Sequence, residues 1–174
     1  MNRTSRLTRF MAATAVVGAL TALGTGAEQA YASDDYSTNP PLSATSTPDE
    51  ADAINYINAR MGDTSYDGYC QRLVREAYAS TGVDITATAG DNSSAVSFWN
   101  TTNLEKHPAS TDIPAGALVF WGATSTNPAG HVAIALGGDS AASTSERDND
   151  GVHVFSLSAR NAAGYEMLGW VMPA

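Results

Sequence analysis

"ALVFWGATSTNPAGHVAIAL", residues 117–136, holds two short apolar runs separated by Gly, Ala, Thr, Ser, Asn and Pro. The runs Ala117–Trp121 and Val132–Leu136 are too short for helices and are rich in branched and aromatic side chains. Bounded by turn formers, they predict neighbouring strands. Two more runs of the same kind follow, Val152–Leu157 ("VHVFSL") and Leu168–Met172 ("LGWVM").

Upstream the period changes from two to helical. Thr47-Pro48-Asp49-Glu50 predicts a helix start, with Thr47 as N-cap, Pro48 at the first helical position and Glu50 closing a capping box. That helix is expected to run to about Arg60, with Ala53, Ile54, Ile57 and Met61 on its apolar face and Gly62 as its stop. A second is expected from Tyr69 to Ser80, where Cys70, Leu73, Val74, Ala77 and Thr81 share one face. "DNSSAVSFWN" predicts a short third helix capped by Asn92 or Ser93 and burying Val96 and Trp99. Helices first and strands second indicate an α+β domain with N-terminal helices packed on a small antiparallel sheet.

The chain of 174 residues divides into three stretches. Arg3, Arg6 and Arg9 precede an apolar run from Phe10 to Leu23, and Ala30-Tyr31-Ala32 supplies a small-x-small cleavage pattern. Residues 1–32 are therefore expected to be a signal peptide cut before Ser33, giving a secreted, extracellular or cell-wall-associated protein with no membrane association after cleavage. Residues 33–46, polar and Pro-containing, read as a flexible linker. Residues 47–174 form the domain. Removing Arg3, Arg6, Arg9 and Glu28 from the 9 basic and 18 acidic side chains leaves 6 against 17. Such acidity opposes nonspecific attraction to nucleic acid or anionic lipid.

The chemistry begins with Cys70, the one cysteine in the sequence. One thiol excludes an internal disulfide, so it is inert core, joined to another molecule, or kept for reactivity. At a helix N-terminus the unpaired amides and the helix dipole are expected to lower its pKa and make it a nucleophile. His131 stands where a loop enters a strand, held by a rigid element, and is the candidate base for such a thiol. His107, in the polar "LEKHPAS" stretch, is expected to be solvated, and His153, between Val152 and Val154, to be a strand surface residue. Trp99, Trp121 and Trp170 form no stripe and are assigned to the core. "SERDNDG", residues 145–151, lacks EF-hand spacing and reads as a solvated hairpin loop. No HExxH or CxxC occurs, so neither metal nor other cofactor is expected.

"YCQRLVREAY", "DIPAGALVFWG", "GHVAIALGGD" and the closing "LGWV" together resemble the secreted bacterial papain-like cysteine peptidases of the NlpC type, over roughly residues 50–174. The resemblance implies a papain-like fold and a cysteine hydrolase cutting amide bonds in peptidoglycan peptides, acting as a monomer. It implies Cys70 as nucleophile, His131 as base and, about 12 residues beyond the base, Ser143 as the third, orienting position. A backbone carbonyl or His153 are alternatives for that role. The backbone N–H of Cys70 would serve the oxyanion, and Tyr66 or Tyr69 would line the substrate site. Tyr69-Cys70-Gln71-Arg72 departs from the Asp-Cys-Ser-Gly usual in that family, which keeps the related CHAP amidases as a competing assignment. A non-catalytic exported binding domain on the same scaffold is the reading from another functional class, and covalent dimerisation through Cys70 a third.

Overall fold

The computed structural model describes residues 47–110, 112–144 and 150–173. The expected signal peptide and linker lie outside the described residues, as does residues 145–149 of the expected hairpin loop. Helix α1 spans Pro48–Asn58. The Glu50 carboxylate accepts the Thr47 backbone N–H at 2.5 Å, satisfying one of the helix's orphan donors. Ala53, Ile54 and Ile57 are buried as the spacing predicts.

A turn of 3-10 helix, Thr64–Tyr66, leads into α2, Cys70–Ala79, which buries Leu73, Val74, Ala77 and Tyr78. After a second such turn, Ile85–Thr88, comes α3, Ala95–Thr101. Its cap is Ser94 and not Asn92 or Ser93. The Ser94 hydroxyl accepts the Ser97 N–H at 3.0 Å. The shift in cap turns the buried face to Ala95 and Phe98 and leaves Val96 and Trp99 half-buried. Phe98, absent from the expected face, stacks on Phe120 with ring centroids 5.5 Å apart.

Six strands form one antiparallel sheet: β1 (Lys106–His107), β2 (Leu118–Trp121), β3 (His131–Gly137), β4 (Ser140–Thr144), β5 (Val152–Ser156) and β6 (Met167–Val171). Their order is β1-β6-β2-β3-β4-β5. The four predicted strands are present, and the two runs of 117–136 pair directly, Leu118 with Ile134 and Trp121 with His131. β1 and β4 carry no pattern of strand-forming residues. β4 reads Ser-Ala-Ala-Ser-Thr because it is covered on both sides, and its last four residues are buried. A short helix α4, Leu157–Ala162, follows β5 and removes Leu157 from the strand.

Alternation along the strands divides the interior in two. Leu118, Phe120, Val132, Ile134 and Leu136 join the core formed with α1, α2 and α3. Val119, Trp121, Ala133 and Ala135 face the other way, into a smaller core with Ile113, Leu157 and Phe155. Three expectations about ring residues change here. His107 is not solvated but half-buried in β1, stacked on Trp170 at 3.9 Å between centroids. On β5 the exposed side chain is Val154, while His153 is half-buried and packs near Phe155. Trp99 and Trp170 are half-buried, leaving Trp121 as the fully buried tryptophan among the three.

Gly169 holds the β1 side of the sheet closed. Its φ of +140° is rarely open to L side chains, and an added Cβ would lie 2.8 Å from the Trp99 ring and against the His107 carbonyl. Backbone strain and overpacking each cost about 1–3 kcal/mol. Gly169→Ala is expected to lower stability by about 3 kcal/mol, read as a fall in the urea midpoint. An unchanged midpoint would show that this side of the sheet yields freely.

Candidate active site

Cys70 is the first residue of α2 and is half-buried against the core that this helix shares with β3. Leu73, Val74 and Ala77 pack into the core that Val132 and Ile134 line, so the helix start is brought to the strand start. There the backbone N–H groups of Val132, Gln71 and Cys70 itself face the sulfur and favour thiolate, as does the charge of Arg160. Burial works against them and is larger: the thiol is pushed above its ordinary range. The expected lowering of the Cys70 pKa is thus corrected, because loss of water costs the anion more than a helix terminus returns.

His131 opens β3 and is 2 % exposed. Its ring turns toward the smaller core, 5.8 Å from the Trp121 ring and 6.2 Å from that of Phe155. Burial first, then the charges of Arg160 and His153, hold the imidazole well below its usual value. It is therefore neutral at pH 7, the form that can accept a proton.

Val132 links these groups. Its N–H faces Cys70, and its carbonyl accepts the Ser143 hydroxyl at 2.7 Å. The structure thus brings Cys70 to the residue next to His131 and places Ser143, fully buried, on the adjoining strand directly opposite His153. The Ser143 proton is spent on Val132, so only its lone pairs are left for a ring. Thr144, beside it, donates to the Tyr66 carbonyl at 2.8 Å and ties β4 to the loop before Cys70.

The two tyrosines separate. Tyr66 is buried, and its hydroxyl donates to Glu76 at 2.6 Å while receiving the Arg60 Nε–H at 3.3 Å. Tyr56 also donates to Glu76, at 3.1 Å. Tyr66 therefore braces the loop onto α1 and α2 with a hydroxyl already engaged inside the fold. Tyr69, adjoining Cys70, is 60 % exposed and presents its ring to solvent.

Sequence reasoning did not single out Arg160 or Phe155. Arg160 sits on α4 with its guanidinium carbon 4.8 Å from the Trp121 ring centre, 5.3 Å from that of Phe155 and 4.2 Å from that of Tyr165. No periodicity marks it, and its one signal is rarity, a cation in a domain with few. Gln71, directly after Cys70, buries both ends of its carboxamide without a hydrogen-bond partner among the described residues. Among those residues no three His, Cys, Asp or Glu side chains cluster as metal ligands, and no helix is long and apolar enough to cross a membrane.

Comparison with known proteins agrees with this architecture. A crystal structure of Ly7917 with the hydrolyzing product of MDP superposes with a TM-score of 0.52 at 21% identity, covering 71% of this chain and 62% of that one. A crystal structure of Ly7917 alone gives a TM-score of 0.52 at 22% identity, covering 74% and 63%. The chain thus spans about three fifths of the length of these neighbours, which share the α+β, papain-like fold expected from the sequence. No curated protein matches the chain. Residues 59–165, more than half of the sequence and including Cys70, His131, Ser143 and Arg160, match the NlpC/P60 family. The chain belongs to the NlpC/P60 family.

Proposed function

We propose that the protein is a secreted cysteine hydrolase that cuts amide bonds in peptidoglycan peptides, with Cys70 as nucleophile and His131 as base. The observation that carries this reading is the approach of the Cys70 sulfur to the Val132 amide, which sets a helix-start thiol beside the residue that bears the imidazole. Family membership supports it, and so does a structural neighbour that holds the hydrolyzing product of MDP.

In the proposed reaction the Cys70 S–H gives its proton to His131 as the sulfur attacks the amide carbon, and the carbonyl electron pair moves to oxygen. The backbone N–H of Cys70, unpaired at the helix start, stabilises that oxyanion. Collapse breaks the C–N bond, and His131 returns the proton to the departing amine. Water, deprotonated by His131, then hydrolyses the thioester and restores the thiol. Cys70→Ala is expected to abolish release of muropeptides from purified cell wall, read by mass spectrometry. Release that persists in the variant would sink the mechanism.

The resting pair in this reading is neutral thiol and neutral imidazole, not an ion pair. Alkylation of Cys70 by iodoacetamide is accordingly expected to show a midpoint above the free-thiol value of about 8.5. A midpoint below that value would instead indicate a resting thiolate.

The same burial gives stability a pH dependence. His131 has a pKa near 6.5 when unfolded and a lower one when folded. Below about pH 6.5 the unfolded chain binds a proton that the folded chain refuses, so stability falls as pH drops through that window. The urea midpoint is expected to fall between about pH 7 and pH 5, and to fall less steeply in His131→Gln. Equal slopes would mean that the imidazole is not held neutral.

A second reading, a non-catalytic binding domain, is favoured by the raised thiol pKa and the 2 % exposure of His131. Cell wall retained by the protein without any fragment released would support it.

A further inference from the structure

The reaction leaves one question: what holds the imidazole in place. Ser143 spends its proton on the Val132 carbonyl, and His153 Nδ1 lies 3.0 Å from the Gly151 carbonyl. The groups that surround the ring are of another kind. Trp121 from β2 and Phe155 from β5 flank His131, and the same two rings carry the guanidinium of Arg160 from α4.

α4 is fastened at both ends of this contact. Asp139, in the β3–β4 turn, accepts the Ser158 N–H at 2.8 Å and the Ser156 hydroxyl at 2.6 Å. The indole N–H of Trp121 donates to Asn161 at 3.1 Å. Ser156 caps the helix by accepting the Ala159 N–H at 3.1 Å. Arg160 is thereby set on its aromatic seat by the turn that also joins β3 to β4, and Tyr165 closes the seat from beyond the helix.

We propose that Arg160 is a positioning residue for the Cys70–His131 pair, clamping through Trp121 and Phe155 the ring of His131 and placing a fixed positive charge beside both reacting groups. The inference rests on the reading of Cys70 and His131 as nucleophile and base. A cation there disfavours imidazolium and favours thiolate, so both groups shift toward the forms that begin the reaction. Arg160 precedes His153 among the charges acting on His131, and the same guanidinium acts on Cys70. Other titratable groups around the ring are His153 on β5 and Cys70 on α2. Stacking suits arginine, whose planar, weakly hydrated cation tolerates an aromatic seat better than an ammonium does.

The test compares Arg160→Met, Arg160→Gln and Arg160→Lys with the unsubstituted protein in two assays. In the first, iodoacetamide alkylation of Cys70 at about pH 7.5, no cell wall is involved. The Met and Gln variants are expected to react several-fold more slowly, and the Lys variant to stay within about twofold, because it keeps the charge. In the second, cell-wall hydrolysis against pH, the acid limb of the Met and Gln variants is expected to move to higher pH. They should lose activity about twofold or more at about pH 5 beyond any loss at pH 7.5, while the Lys limb stays in place.

Equal losses at every pH with unchanged alkylation would overturn the proposal and leave Arg160 as packing. Should the Met variant fail to fold, the Gln variant carries the same two readouts. If Cys70→Ala still hydrolyses cell wall, the catalytic reading fails. If Cys70 is required and the limbs do not move, the catalytic reading stands and the inference about Arg160 fails.

Discussion

The seam between α2 and β3 governs the position of everything else at the site. Leu73, Val74 and Ala77 from the helix share one core with Val132 and Ile134 from the strand, all fully buried. Burying a side chain such as Val, Leu or Ile stabilises by about 1.5–3 kcal/mol, so these five contacts outweigh any single polar interaction nearby. Because the seam fixes helix against strand, the first residue of one lies beside the first residues of the other. Cys70 cannot leave Val132 without parting the seam. Thr144, donating to the Tyr66 carbonyl, and Glu76, receiving Tyr56 and Tyr66, then hold the loop that delivers Cys70.

That placement has an electrostatic consequence. A thiol packed against a core loses the water that would solvate its anion, and an imidazole enclosed by Trp121 and Phe155 loses the water that would solvate its cation. Both groups are driven toward neutrality, Cys70 upward and His131 downward. In the proposed reaction, charge separates only as substrate is attacked, where the Cys70 amide and neighbouring backbone N–H groups are already aimed. Preorganised donors of this kind are most effective in a site from which water is excluded.

Much of the frame was legible in the sequence because its elements carry their own signals. Thr47 to Glu50 announces α1, the spacing of Leu73, Val74 and Ala77 announces α2, and the runs "ALVFW" and "VAIAL" announce β2 and β3. β4 was not legible, since Ser-Ala-Ala-Ser-Thr has the composition of a loop. Its small residues make sense only once both faces of the sheet are seen to be covered. The face of α3 was misjudged for a local reason, a cap at Ser94, and the half-burial of His107 for a distant one, its stack on Trp170. Cys70 and His131 were visible as candidates because each stands at an element boundary. Their protonation was not, because burial depends on what packs around them.

The orientation of the imidazole was the least legible feature, and the reason is physical. A hydrogen-bonded third residue is sought as one polar side chain at a given spacing. An aromatic enclosure draws on Trp121, Phe155 and a cation from a helix that follows them, and it depends on Asp139 to seat that helix. Each of these residues has an ordinary role when taken alone. A ring held by packing forgoes the carboxylate or amide that would stabilise its protonated form, so it gives up its proton readily once acquired. For a base that must pass that proton on to the leaving amine, weak hold is useful, and an enclosure that disfavours imidazolium supplies it without an acceptor on the third residue.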